Sequence, residues 1–221
     1  MAPDFGHFLL LRPHDSMGHT VPELFVFCLP LSLMVLGLWH LVVKRPLAGL
    51  LPRRWAHLTA AAERPFPMWG AAGGRIVGGV LLGATSHLVW DAFTHVDGAV
   101  VTRLSLLVAD VPLAGIPVYQ ALQYGCSVVG VVALAWMAAV WASRQPRVKT
   151  ASPPRRVRLA GLRFIALLTT LTAMVSGVRA VAEHGLDKPR LLVVAVMVGS
   201  ITGAALAATS YALAHGPPRS H

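Results

Sequence analysis

The sequence predicts an all-α integral membrane protein, a polytopic transmembrane helical bundle of about five spans. Three observations carry this expectation. Of 221 residues, 55% are hydrophobic and only 13% charged, whereas a soluble domain carries about 25% charged residues. The mean hydropathy is +0.63. Several apolar runs also reach the roughly 20 residues that a helix needs to cross a hydrocarbon core.

Taken in order, the first expected span covers 21–43, opening with Pro22 and ending at Lys44-Arg45. The second, 76–95, is rich in glycine and turns polar in its last third. The third, fourth and fifth cover 118–143, 159–181 and 191–215, and 1–20 forms a polar segment ahead of them. A further apolar stretch, 104–116, is interrupted by Asp110 and Pro112. It is too short to span and reads as an interfacial or re-entrant piece. The whole of 1–221 is read as a single membrane domain.

The charges orient these spans. The loop after the first carries Lys44, Arg45, Arg53, Arg54, Arg64 and Arg75 against Glu63 alone. The loop after the third carries Arg144, Arg147, Lys149, Arg155, Arg156 and Arg158 and no acid. The opposite segments hold only Arg12, Arg103, Lys188 and Arg190, together with Asp4, Asp15, Glu23, Asp97, Asp110, Glu183 and Asp187. Such Lys and Arg asymmetry puts both basic loops in the cytoplasm, with the amino terminus outside and the carboxyl tail inside. Arginine far outnumbers lysine in an Ala-, Val- and Gly-rich chain, a bias of GC-rich bacterial genomes, so a bacterial cytoplasmic membrane is expected. No cleavable signal peptide is evident, since Met1 to Leu11 lacks a basic leading region and contains Asp4.

The net charge of +10 is thus explained by topology. Without basic and aromatic interleaving or a recognisable motif, nucleic acid is excluded as a partner, and membrane lipid is expected instead. Cys28 and Cys126 both lie in apolar runs, where lone cysteines behave as small hydrophobes. Neither a disulfide framework nor a thiolate metal site is implied.

The second span holds the chemistry. His87, Asp91 and His95 are spaced i, i+4 and i+8 and so share one helical stripe. Gly79 and Gly83 extend that stripe, where small residues let another helix come close. A carboxylate in the middle of a membrane helix costs at least about 2.5 kcal/mol, and such groups usually mark function. Imidazole with carboxylate is a ligand set for a divalent metal, zinc first and manganese or iron next. Neighbours at i and i+4 can share one ion, but the outer pair is separated by about 12 Å of helical rise. One member would then serve a second ion, support a ligand or carry a proton. The bland alternative is a His–Asp–His hydrogen-bond network that fixes packing. Asp4, His7, His14, Asp15 and His19 are expected on the same outward side as His95, with His19 next to the membrane boundary. His40, His57, His184, His215 and His221 are weaker candidates.

The run Gly83-Ala-Thr-Ser-His-Leu-Val-Trp-Asp-Ala-Phe-Thr-His95 resembles the hallmark of a bacterial membrane family known only as domain of unknown function 4184. Met1-Ala-Pro-Asp-Phe resembles its early Pro-Asp motif. His19-Thr20, Lys44-Arg-Pro-Leu and Leu-Leu-Pro-Arg-Arg54 resemble its next block. The likeness covers 1–145 well and the last two spans in character only. It also implies a leading stretch of about thirty residues, with a Ser-His pair and an apolar run, ahead of the position of Met1, so that either the start is placed late or this chain is expected to have lost the segment.

That family is in turn similar to inner-membrane proteins labelled metal-dependent hydrolases. The resemblance therefore implies a polar site with His87, Asp91 and His95 as metal ligands. Asp4 and His19 would be the next ligands or a general base. The expected activity is hydrolysis of a lipid-associated ester or phosphoester. The non-catalytic alternative is a structural ion, an ion or proton pathway, or helix packing. No Gly-x-Ser-x-Gly or His-Glu-x-x-His motif is present.

Overall fold

Helices dominate the computed structural model, which describes residues 3–10, 19–67, 70–112, 115–148 and 153–216. In chain order they are α1 (Phe5–Leu10), α2 (Val21–Ala48), α3 (His57–Glu63), α4 (Gly70–Thr94), α5 (Ser105–Val108), α6 (Val118–Ser143), α7 (Arg155–His184) and α8 (Pro189–His215). Among the described residues there is no strand, only a single bridge between Asp110 and Pro117. Five helices, α2, α4, α6, α7 and α8, are long and apolar enough to cross a membrane. The protein is an all-α membrane protein.

Contacts divide the chain into two compact units, Met1–Val80 with Pro146–His221, and Leu81–Gln145. In the first unit α2 begins with a cap. The Thr20 backbone N–H and hydroxyl both donate to Glu23 Oε2, at 2.9 and 2.7 Å, which places an acid at the positive end of the helix dipole. The helix widens into π turns at Leu24–Cys28 and Trp39–Val43. Each lies just ahead of a proline, Pro30 or Pro46, that cannot donate to the carbonyl four residues back. In the last turns of α2, Lys44 Nζ donates to the Arg64 carbonyl at 2.7 Å and Arg45 Nη2 to the Glu63 carbonyl at 3.1 Å. Two cations thereby satisfy the last carbonyls of α3.

The core of this unit is the antiparallel pair α7 and α8. Gly185, at φ 73°, ends α7, and Pro189 opens α8, an asymmetry that gives a tight reversal. Ala195, Gly199, Gly203, Ala207 and Tyr211 are buried on α8, one per turn, with Gly199 against Ser176, Gly203 against Thr172 and Tyr211 against Gly161 on α7. Small residues let the two backbones meet. The amino-terminal helix α1 is tied to this pair, because the Thr202 hydroxyl donates to the Phe8 carbonyl at 3.0 Å.

In the second unit, α4 ends at Thr94 and the chain folds back on it. The described part of the 104–116 stretch holds the four-residue α5 and one side of the Asp110–Pro117 bridge. Val111 N–H donates to the Ile116 carbonyl at 2.8 Å and Val118 N–H to the Ala109 carbonyl at 3.0 Å. The described part of that stretch is thus a compact connection into α6. The face of α6 is almost wholly exposed apolar surface, including Val128, Val131, Leu134 and Trp136, as a lipid-facing helix requires.

Candidate metal site

His87 and Asp91 lie on the last two turns of α4, and His95 follows its end, with the His95 N–H donating to the Asp91 carbonyl at 3.0 Å. The stripe expected from the spacing is present. Asp91 is its centre: Oδ2 stands 3.2 Å from His87 Nε2 and Oδ1 stands 3.4 Å from His95 Nδ1. One carboxylate therefore serves two imidazoles, one oxygen each. Side-chain exposure rises from 17% at Asp91 through 25% at His87 to 48% at His95, so the stripe opens at the His95 end.

These spacings bear on metal fit. Ligand atoms about 2.0–2.1 Å from a tetrahedral zinc lie about 3.3 Å apart. Both His–Asp spacings match that edge. As hydrogen bonds they fall at or beyond the long end of the usual 2.7–3.2 Å range. Each oxygen of Asp91 thus faces a single imidazole, two ligand atoms at a time.

The seat of the stripe is the loop that follows α4. Val100 and Val101 N–H both donate to the Ala92 carbonyl, at 3.1 and 3.2 Å. Thr94 is 1% exposed and its hydroxyl donates to the Trp90 carbonyl at 3.0 Å. Val101 is 2% exposed. Gly98 makes this return possible, since a Cβ there would stand 2.5 Å from the Ala92 oxygen and 2.8 Å from the Asp91 oxygen. The Asp97-Gly98 pair just past a helix end was the available turn signal. Gly98→Ala is expected to lower stability by about 1–3 kcal/mol, the usual cost of overpacking. Melting of the detergent-purified protein measures it, and an unchanged melting point would refute the close approach.

In the first unit, Asp4 precedes α1 and His19 precedes the Thr20 cap of α2. Their side chains approach to 3.9 Å between Asp4 Oδ1 and His19 Nε2, at 26% and 30% exposure. That is ion-pair distance, too long for a hydrogen bond. Asp4 and His19 each offer one atom capable of ligating a metal. His7 lies on α1, and His14 and Asp15 fall outside the described residues. Of the weaker candidates, His40 stacks on Phe66 at 3.7 Å and His215 on Tyr211 at 4.4 Å.

A further expectation concerned Gly79 and Gly83. Among the described residues nothing lies within 4 Å of where a Cβ at either would stand. The close helix approach occurs instead between α7 and α8.

An all-α membrane protein with a His–Asp–His stripe at one helix end is the class these observations define. Residues 1–213 match the family model described as Domain of unknown function (DUF4184), and the chain belongs to that family. No curated protein and no solved structure matches the chain.

Proposed function

We propose that this chain is a metalloprotein of the bacterial cytoplasmic membrane whose outward-facing His/Asp site hydrolyses a lipid-associated ester or phosphoester. The observation that carries the proposal is Asp91 in a membrane-spanning helix, with each carboxylate oxygen at ligand-edge distance from a different histidine. A carboxylate is costly there unless it is compensated. The loop charges favour an amino terminus outside, which would put Asp4 and His19 on the same side of the membrane as His95. Asp91 would hold the ion with His87 or His95, the other histidine serving a second ion or acting as support or proton carrier. The ion, zinc first and manganese or iron next, would supply Lewis-acid polarisation of the substrate. Asp4 and His19, at 3.9 Å from each other, are suited to hold or move a proton as general base or to complete the ligands.

A second reading rests on the same distances. At 3.2 Å the His87–Asp91 contact is also within hydrogen-bond range, and a non-catalytic packing network or proton path would use it.

Elemental mass spectrometry of the detergent-purified protein beside a His87→Ala, Asp91→Ala double variant tests the proposal. About one zinc, manganese or iron per chain is expected in the wild type, as a single tetrahedral site requires. The variant should be folded and metal-free, after which an ester and phosphoester screen is warranted. A well-folded, metal-free wild type would sink the metallo-hydrolase and leave the packing network or proton path.

A further inference from the structure

The opposite end of the first unit carries a charged surface that the His/Asp site does not use. The turn after α2 is locked to the start of α7. Leu50 is 6% exposed, and a Cβ at Gly161 would stand 2.9 Å from Leu50 Cδ2 and 2.7 Å from Tyr211 Cε2. A Cβ at Gly49 would meet Pro153 Cγ at 3.7 Å. This contact brings two segments to one end of the unit: the short 3-10 turn Arg53–Trp55 and the first turn of α7.

Arg53, Arg54, Arg155 and Arg156 are all exposed there. In the loops 44–75 and 144–158 the only acid is Glu63. Lys44 and Arg45 are engaged by the Arg64 and Glu63 carbonyls, whereas the four arginines are exposed on the 3-10 turn and the first turn of α7. Their position is electrostatically costly. Arg155 and Arg156 sit in a first turn with no acidic residue, where the helix dipole already presents positive charge. Beside them Arg54 Cζ lies 4.9 Å above the Trp55 ring, and Trp55 is 46% exposed. Tryptophan prefers the headgroup level of a bilayer, so the ring marks the depth at which these guanidiniums lie.

We propose that Arg53, Arg54, Arg155 and Arg156 form a collar that binds the phosphodiester headgroup of an anionic membrane lipid. The planar guanidinium matches phosphate oxygens two at a time, and the lipid charge offsets the repulsion within the collar. The neighbouring ends of α2 and α7 supply apolar surface for acyl chains. The inference is independent of the metal reading, because it involves neither Asp91 nor any histidine.

Native mass spectrometry of the purified full chain, offered equal amounts of phosphatidylglycerol and phosphatidylcholine, tests it. The wild type is expected to retain the anionic lipid by at least about tenfold over the zwitterionic one. The R53Q/R54Q/R155Q/R156Q variant should show near parity. Equal retention of both lipids by the wild type, or an undiminished preference in the variant, would overturn the proposal. A second measurement needs no variant: the wild-type melting temperature should rise with phosphatidylglycerol and stay level with phosphatidylcholine. A rise as large with inorganic phosphate alone would show a free-anion site and overturn the assignment to lipid.

Discussion

Gly203→Val is expected to prise α7 and α8 apart and to cost the protein the largest share of stability of any single change argued here. A Cβ at Gly203 would overlap Thr172 Oγ1, stand 2.9 Å from Thr172 Cβ and 3.0 Å from the Thr169 Cα. The last of these is backbone and cannot rotate away. One turn earlier, a Cβ at Gly199 would fall 2.5 Å from Ser176 Oγ and 2.7 Å from the Thr172 carbonyl oxygen. Lipid offers an apolar residue no less than another helix does, so the pair is held by close contact and not by hydrophobic burial. Contact energy falls steeply with gap width, and a radial gap of about 0.5–1 Å forfeits a quarter to a half of it. Overpacking of this kind costs about 1–3 kcal/mol, and valine, with two further methyls, belongs at the upper end.

The control is Gly130→Val on α6, where nothing lies within 4 Å of the added Cβ, and no change is expected. Thermal melting in detergent compares them. If Gly203→Val melts with the wild type, the helix pair is not packed as described. A real opening would also reach Asp4, since Thr202 holds the adjoining α1 through the Phe8 carbonyl.

Hydropathy reads helix interiors well and their ends poorly, and this chain shows why. The sequence reading began the fourth span at residue 159, whereas α7 begins at Arg155. Backbone hydrogen bonding does not stop at a charge, and arginine reaches water from inside the membrane boundary along its own stem. Likewise α2 runs on through Lys44-Arg45 to Ala48, and α4 starts at Gly70 and not at 76, its glycines having masked a helical run that propensity disfavours. The His87, Asp91, His95 stripe was visible because i, i+4 geometry is local. The roles of Gly98 and Gly203 were not visible. Each depends on which backbone comes to lie against it, the returning chain at Ala92 or Thr169 and Thr172 on α7, and a glycine among twenty in the chain carries no mark of its partner.

Asp91→Leu should separate the two readings of the stripe by the sign of its effect on stability. An uncompensated carboxylate within a membrane helix costs up to about 2.5–3.5 kcal/mol at the centre, and less near the end where Asp91 stands. If the residue is kept for a metal, removing it relieves that cost in metal-free protein. The leucine variant should then melt at or above the wild type stripped by chelator, while losing bound metal. Sites maintained for activity at the expense of stability behave this way. If instead Asp91 binds His87 and His95 into a packing network, the variant strands two partly exposed imidazoles that lie 3.2 and 3.4 Å from its oxygens. The expected result is then a loss of about 1–3 kcal/mol for unsatisfied polar groups. Asp91→Asn sharpens the comparison, because it keeps the shape and one acceptor but not the charge. A network tolerates asparagine with little change, whereas a metal site should lose at least about tenfold in affinity, since changes even at groups supporting a ligand cost 10–100-fold. Melting curves with and without chelator, read beside metal content for the wild type and both variants, decide the matter. A stabilised, metal-free leucine variant favours the metal site, whereas a destabilised leucine beside an unperturbed asparagine favours the network.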